Sequence, residues 1–242
     1  MKCAIMQPTY MPWAGYFNLI ASVDTFVFLD DVQFDRRSWQ SRNRIFDGGK
    51  VAWLTCPVQK VSRDTLINKI ALVEQSQWRA LHKKKVQLNY CNAPFFDDVR
   101  PILNTLETLD TTSLSENNQA IITHLCELLG IKTKMISASE INTGGHRSTH
   151  LLNICKAIDA SIYVSPQGSR DYLMEDKVFA NSSVALAFQE YEPQSYIQKH
   201  AQKHAQKDSD DFVSHLSMID VIANIGLNAA STYISRQVEC TL

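Results

Sequence analysis

MKCAIMQPTYMPWAGYFNLIASVDTFVFLDDVQFDRRSWQSRNR, residues 1–44, carries the pattern that decides the fold. Cys3–Met6 and Thr25–Leu29 are short apolar runs bounded by turn residues and rich in β-formers, so both predict buried strands. Between them Gly15–Val23 has apolar residues at 16, 17, 19, 20 and 23, the spacing of a helix. Strand, loop, helix and strand within about thirty residues form a βαβ unit, which implies neighbouring parallel strands in a buried sheet. Ligands of such sheets sit beyond the carboxyl ends of the strands. Here those ends carry Gln7-Pro8-Thr9-Tyr10 and Asp30-Asp31-Val32-Gln33, and the candidate site is placed there. Successive residues of an extended chain point oppositely, so one of the two aspartates faces the cleft. Asp30 is assigned to the cleft, and Asp31 to bracing the arginine-rich loop that follows.

That loop, Phe34–Arg44, sets Arg36, Arg37, Arg42 and Arg44 around Trp39 and Asn43. A charge run is ordinarily a solvated face. Arginine is also the side chain suited to two-pronged capture of carboxylate or phosphate, and the run follows a buried strand, so an anion site has equal weight. Asp47-Gly48-Gly49-Lys50 is a hairpin turn between Asn43–Phe46 and Val51–Val58.

Further along, Ile67–Val73 predicts a short strand. Helices are expected at Gln77–Tyr90, with Ser76 as cap, at about 96–109, and after the capping box Ser113-Leu-Ser-Glu116 as far as Gly130. Ile131–Ser137 alternates as a strand does, Ala138–Arg147 with its Gly144-Gly145 pair is a flexible loop, and Thr149–Ile158 is a helix capped by Ser148. The apolar strand Ser161–Val164 opens into Ser165-Pro-Gln-Gly-Ser-Arg-Asp-Tyr172, a second strand end rich in small and polar residues. Gly168 there allows close backbone approach, while Ser165, Ser169 and Arg170 offer hydrogen bonds to an anion or hydroxyl group. The alternative is a plain strand-to-helix turn. Val184–Phe188 is another strand. A closing helix runs over 212–227 with Ser217, Asp220 and Asn224 in a polar line, and the tail after Asn228 reads as surface helix or disorder.

Composition excludes several function classes. A net charge of −1 gives no bulk attraction to nucleic acid or anionic membrane. No apolar run approaches the ~18 residues that span a bilayer, and no signal peptide is legible, so a cytoplasmic protein is expected. Cysteines 3, 56, 91, 126, 155 and 240 are scattered without a C-x-x-C pair, which disfavours a zinc site or disulfide framework. His200 and His204 stand at metal-ligand spacing, but in a polar, nearly repetitive setting that reads as solvated helix or loop. P-loop, G-x-G-x-x-G, G-x-S-x-G and H-E-x-x-H motifs are missing, so the sequence specifies neither a cofactor nor a metal, nor an oligomeric state.

QPTYMPWAGYFNLIASVDTFVFLDDVQF with RRSWQSRNRI, and later LLNICKAIDASIYVSPQGSRDYL and HLSMIDVIANIG, resemble the WbqC-like family of bacterial proteins over nearly the whole chain. The resemblance implies a role in surface polysaccharide, O-antigen (lipopolysaccharide) or small-molecule biosynthesis. The matching positions are Gln7, Pro8, Tyr10, Pro12, Gly15, Tyr16, Asp30, Asp31, Gln33, Arg42 and Asn43, then Ser165, Gly168, Tyr172, Ser217, Asp220 and Asn224. More distantly, the opening is similar to nucleotidyltransferases of the pantothenate synthetase kind. Their H-x-G-H motif corresponds here to Trp13-Ala14-Gly15-Tyr16, so both histidines are replaced while Gly15 still allows phosphate to approach a helix N-terminus.

Residues and resemblance together predict a three-layer α/β fold around a mostly parallel sheet, nucleotidyltransferase- or Rossmann-like. One domain spans 1–242, with a helical annex at about 66–130. The expected activity is that of a transferase or ligase on an activated, anionic small molecule such as a nucleotide-sugar or acyl donor. Asp30, Tyr16 and Tyr10 are its catalytic candidates. Gln7, Gly15, Gln33, Arg37, Arg42, Asn43, Ser165, Gly168, Ser169 and Tyr172 are candidates for binding. The competing expectation is a non-catalytic binding or scaffold protein on a degenerate nucleotidyltransferase fold.

Overall fold

Lys2–Met6 (β1) and Thr25–Phe28 (β2) pair in parallel, with Cys3 opposite Thr25 and Met6 opposite Phe28. The computed structural model describes residues 1–73, 77–199 and 212–235. Within it Lys134–Ser137 (β5) extends the sheet beyond β2, Ile162–Ser165 (β6) pairs with the other edge of β1, and Ala185–Phe188 (β7) lies outermost. The order is β5-β2-β1-β6-β7, parallel throughout, so the expected three-layer α/β architecture is the one adopted.

The layers follow from strand alternation. Ala4, Phe26, Phe28, Val164 and Ala187 point to one face, where they join an apolar core with Ala14–Ala21 (α1) and Met218–Ser235 (α8). Cys3, Ile5, Val27, Tyr163 and Phe188 point to the other, against Ser148–Ala157 (α6) and Arg170–Asp176 (α7). Trp78–Tyr90 (α2), Phe96–Thr108 (α3) and Leu114–Leu128 (α4) pack into the first of these cores, as does the separate antiparallel hairpin Arg42–Asp47 (β3) and Lys50–Thr55 (β4). Ser113 caps α4 by accepting the Glu116 amide hydrogen, as the capping box predicts.

Several segments depart from the sequence expectations, each through a tertiary contact. Ile67–Lys69 is a 3-10 turn, and Ala71 and Leu72 make only isolated bridges to Ser113 and Val58, because the segment lies between two elements instead of along a sheet edge. Ala138–Ile141 (α5) is a short helix where a loop was expected. Residues 212–217 are not helical: the Ser217 amide bonds the Arg44 carbonyl at 2.8 Å, and that of Val213 bonds Gln198 at 3.0 Å. The last helix instead continues to Ser235 across a break at Gly226, with Ala230 and Ile234 buried, so this part of the tail belongs to the core. The polar line Asp220–Asn224 holds the segment before it: Tyr196 and Gln198 donate to the Asp220 carboxylate at 2.6 and 2.9 Å, and the Lys199 amide to Asn224 at 2.6 Å.

From β1 the chain works outward through β2 to β5, then returns to start β6 on the opposite side of β1. The helices following β1 and β6 therefore cover opposite faces, as the core memberships of α1 and α7 show. The crevice between these two carboxyl ends is a topological switch point, where open α/β sheets bind their ligands.

Candidate functional site

The ends of β1, β2 and β6 share this edge, and β2 brings the two aspartates to it. Asp30 is buried, one carboxylate oxygen accepting the Ser139 amide hydrogen at 3.0 Å and the other its hydroxyl hydrogen at 2.8 Å. It thus stabilises the opening of α5. Its carbonyl accepts the Asn68 amide at 2.9 Å. Asp31 meets a histidine side chain. Its two oxygens each lie 3.1 Å from Nε2 of His150. His150 is only 7% exposed, and its Nδ1 is buried without a hydrogen-bond partner among the described residues. In the neutral ring a carboxylate acceptor places the hydrogen on Nε2, which donates it, and leaves the lone pair on Nδ1.

Local structure explains why His150 stands there. Gly145 has φ +127, and a Cβ at that position would come within 2.9 Å of the His150 nitrogen and Cα. Only glycine lets the 143–147 loop fold this closely over the first turn of α6. Asn153 secures the loop by donating to the Gly144 carbonyl at 2.8 Å, and the Ser148 hydroxyl donates to the Asp176 carboxylate, tying α6 to α7. Leu151, Leu152, Ile154 and Cys155 bury the other side of the helix in the same core as Cys3, Ile5 and Val27. Arg147 heads α6 with its guanidinium 5.8 Å from the Tyr172 ring and 3.9 Å from Asp176, more than half exposed.

Most other anticipated residues serve the surrounding framework. Tyr10 is fully buried with its hydroxyl 2.8 Å from Nδ1 of His82, and Tyr16, also buried, donates to the Gln7 carbonyl at 3.0 Å. Burial pushes both phenols well above 10, so neither is set up to exchange a proton near neutral pH. Gln7 accepts from Gln40 at 2.9 Å, and buried Asn43 donates to the Tyr10 carbonyl at 3.1 Å, which joins the β1 loop to the hairpin. The Trp13 indole fills the space a side chain at Gly15 would take, 2.2 Å from an ideal Cβ, and stacks on His215 at 4.4 Å. Arg37 is exposed in a left-handed conformation, φ 62. Gln33 donates to the Arg63 carbonyl at 2.8 Å and joins Arg36 and Arg63 along an open groove of about 590 Å³. Ser165 is buried with its hydroxyl on the Pro166 carbonyl at 3.4 Å, Gly168 faces open space, and Ser169 precedes α7, on which Tyr172 lies. Arg42 sits on β3 with its guanidinium 4.0 Å over the Trp53 ring.

Sequence reasoning passed over His150. A lone histidine in an apolar helix reads as core, and the only local signal was its place just after a Gly-Gly loop. No group of three or more His, Cys, Asp or Glu among the described residues is arranged to hold a metal ion, and the His200–His204 pair lies outside them. Among the described residues, no helix is long and apolar enough to cross a membrane.

An uncharacterized protein of Mycobacterium tuberculosis is 30% identical over 230 residues, covering 94% of this chain and 95% of its own length. No solved structure matches the chain. A family model described as the WbqC-like protein family matches residues 7–232, which takes in the β1 loop, the Asp31–His150 pair and most of α8. The chain is a member of the WbqC-like protein family.

Proposed function

We propose that this protein is a biosynthetic enzyme, a transferase or ligase, that processes an activated anionic small molecule at the carboxyl edge of its sheet. The observation that carries this reading is the Asp31–His150 pair, with Nε2 held at 3.1 Å and Nδ1 buried and unpartnered. Burying a polar atom without a partner costs about 1–3 kcal/mol, and such a cost persists where a ligand supplies the missing hydrogen. A hydroxyl or amine of the acceptor substrate, admitted to Nδ1, gives it its proton as it attacks the anomeric or acyl carbon of the donor, and the bond from that carbon to the donor's phosphate oxygen breaks to release the nucleotide. Asp31 then stabilises the imidazolium and keeps the ring oriented. Arg147, three residues before His150 at the head of α6, lies over the Tyr172 ring and suits an anionic donor. The Rossmann-like sheet is consistent with this use, although a fold alone assigns no reaction.

A competing reading, a binding protein without chemistry, draws on Trp13. The indole closes the helix N-terminus that nucleotidyltransferases of the resembled kind use for phosphate, so adenylyl transfer by their route is not proposed. The two readings separate in one assay. Nucleotide-sugars and acyl-adenylates are incubated with the protein and a panel of amine and hydroxyl acceptors, and release of nucleotide is followed by phosphorus NMR. The enzyme reading expects turnover of one donor that falls about a hundredfold or more in His150→Gln, with donor binding retained. Equal turnover in wild type and variant removes His150 from the reaction. Donor binding without turnover for any acceptor favours the binding protein.

A further inference from the structure

The outer face of the β3–β4 hairpin carries a stack of side chains that the Asp31–His150 pair does not use. In the hairpin register Arg44 lies opposite Trp53, and Arg42 opposite Thr55, so both arginines project to the same face as Trp53. The Arg42 guanidinium lies 4.0 Å over the Trp53 ring, and that of Arg44 5.5 Å from the Trp39 ring. The two indoles touch, with centroids 5.1 Å apart, yet remain 43% and 41% exposed.

Neither arginine has an acidic partner among the described residues. Asp47, the acid within this hairpin, is bound to Lys85 at 2.9 Å. Arg44 spends one nitrogen on the Ser214 and His215 carbonyls, at 3.4 and 3.1 Å, while Arg42 makes no hydrogen bond to a described residue. The Nε atoms of both are buried and unpartnered. A guanidinium stacked on an indole uses its face and leaves its N–H edge free, in the plane that suits phosphate. The unspent edge of Arg42, with the remaining donors of Arg44 ~7 Å along the same strand, forms a cationic pair with orphaned Nε donors. The indoles beside them are flat surfaces on which a heterocyclic base stacks.

We infer that this face binds a nucleoside diphosphate group, Arg42 and Arg44 holding the two phosphates and Trp39 with Trp53 bearing the base. This face is separate from the Asp31–His150 pair, and the inference goes beyond the function proposed above without resting on it.

Binding of ADP, inorganic pyrophosphate and adenosine to the full chain is measured by calorimetry, with tryptophan fluorescence as a second signal. Wild type is expected to bind ADP more tightly than pyrophosphate and adenosine least, with a fluorescence change on ADP. Arg42→Ala weakens ADP about tenfold or more, and Arg42→Lys by a similar factor, because an ammonium lacks the two-pronged contact. Circular dichroism verifies that both variants fold, and Trp39→Phe, which leaves the hairpin strands intact, gives a second route to the same loss. His150→Gln binds ADP as wild type does, so a failed catalytic role and a failed binding site give different results. Absence of ADP binding by wild type overturns the inference, as does binding unchanged in Arg42→Ala and Trp39→Phe. Co-sedimentation with phosphatidylglycerol vesicles that ADP does not displace also overturns it, by showing that the basic aromatic face meets lipid headgroups.

Discussion

Two buried titratable groups give the fold opposing responses to acid. His82, inside the α2 packing and bonded to Tyr10, has its pKa lowered from 6.5 to about 4, chiefly by burial and then by the nearby Lys85 charge. Asp220, fully buried on α8, is raised from 3.8 to about 6, again chiefly by burial, against hydrogen bonds from Tyr196 and Gln198 that lower it. A depressed histidine pKa means that the unfolded chain takes up the proton first. His82 thus contributes stability that is complete above pH 6.5 and is lost as pH falls to about 4. A raised carboxyl pKa has the reverse sign: the contribution of Asp220 is complete below pH 3.8 and is lost as pH rises through about 6. At about 1.4 kcal/mol per unit, each swing is roughly 3 kcal/mol, and in wild type the two largely cancel. The perturbation is to remove them singly, with His82→Asn, which keeps an amide near Nδ1, and Asp220→Asn, which keeps an acceptor for Tyr196. Urea unfolding between pH 4 and 7 gives the stability difference from wild type, in which unrelated groups drop out. The wild-type advantage over His82→Asn should shrink by roughly 3 kcal/mol on acidification, and that over Asp220→Asn should grow by a similar amount. Differences flat with pH, or sloping the same way for both variants, refute the reasoning.

Other consequences are local. Gly15→Ala forces the Trp13 indole off the start of α1, so it should cost about 1–3 kcal/mol and shift the tryptophan emission, both read in one denaturant titration. Gly145→Ala combines a positive φ with a clash against the His150 backbone; it should impair turnover more than the melting temperature, which paired rate and thermal measurements separate. Arg79 donates to Asn117 and to the Leu106 and Thr111 carbonyls, at 2.6, 3.2 and 3.0 Å. Arg79→Leu should therefore lower stability by about 2–4 kcal/mol in calorimetry, because three acceptors lose a charged donor.

The sheet was legible because its signals are local and repeated. The runs at 3–6 and 25–29, and the alternation within them, are what the two cores read as opposite faces. The parallel pairing of β1 with β2 also followed from the βαβ opening. Segments whose structure depends on distant partners were not legible. Residues 212–217 have helical composition but spend their amides on Arg44 and Gln198, and Ile67–Val73 has strand composition without a sheet beside it. The site was half legible for the same reason. Asp31 stood out at a strand end, whereas its partner lies 119 residues away on a helix whose other buried residues are mostly apolar, and no pattern in either segment joins them. The bonds that hold the Asp30 carboxylate depend on Ser139, equally remote in sequence. Arg42 drew notice as a possible anion ligand, but its stacking on Trp53 depends on the register of a hairpin that the Gly48-Gly49 turn only approximately sets.

The central claim is that Asp31 holds His150 with its hydrogen on Nε2 and a free lone pair on Nδ1. Long-range nitrogen–proton NMR of histidine-labelled protein, assigned with His150→Gln, measures this directly on the neutral ring. The account predicts a single tautomer, protonated at Nε2, that gives way to a mixture in Asp31→Ala while the other histidine signals stay in place. A ring protonated at Nδ1 in wild type, or a His150 signal indifferent to the loss of Asp31, would contradict it.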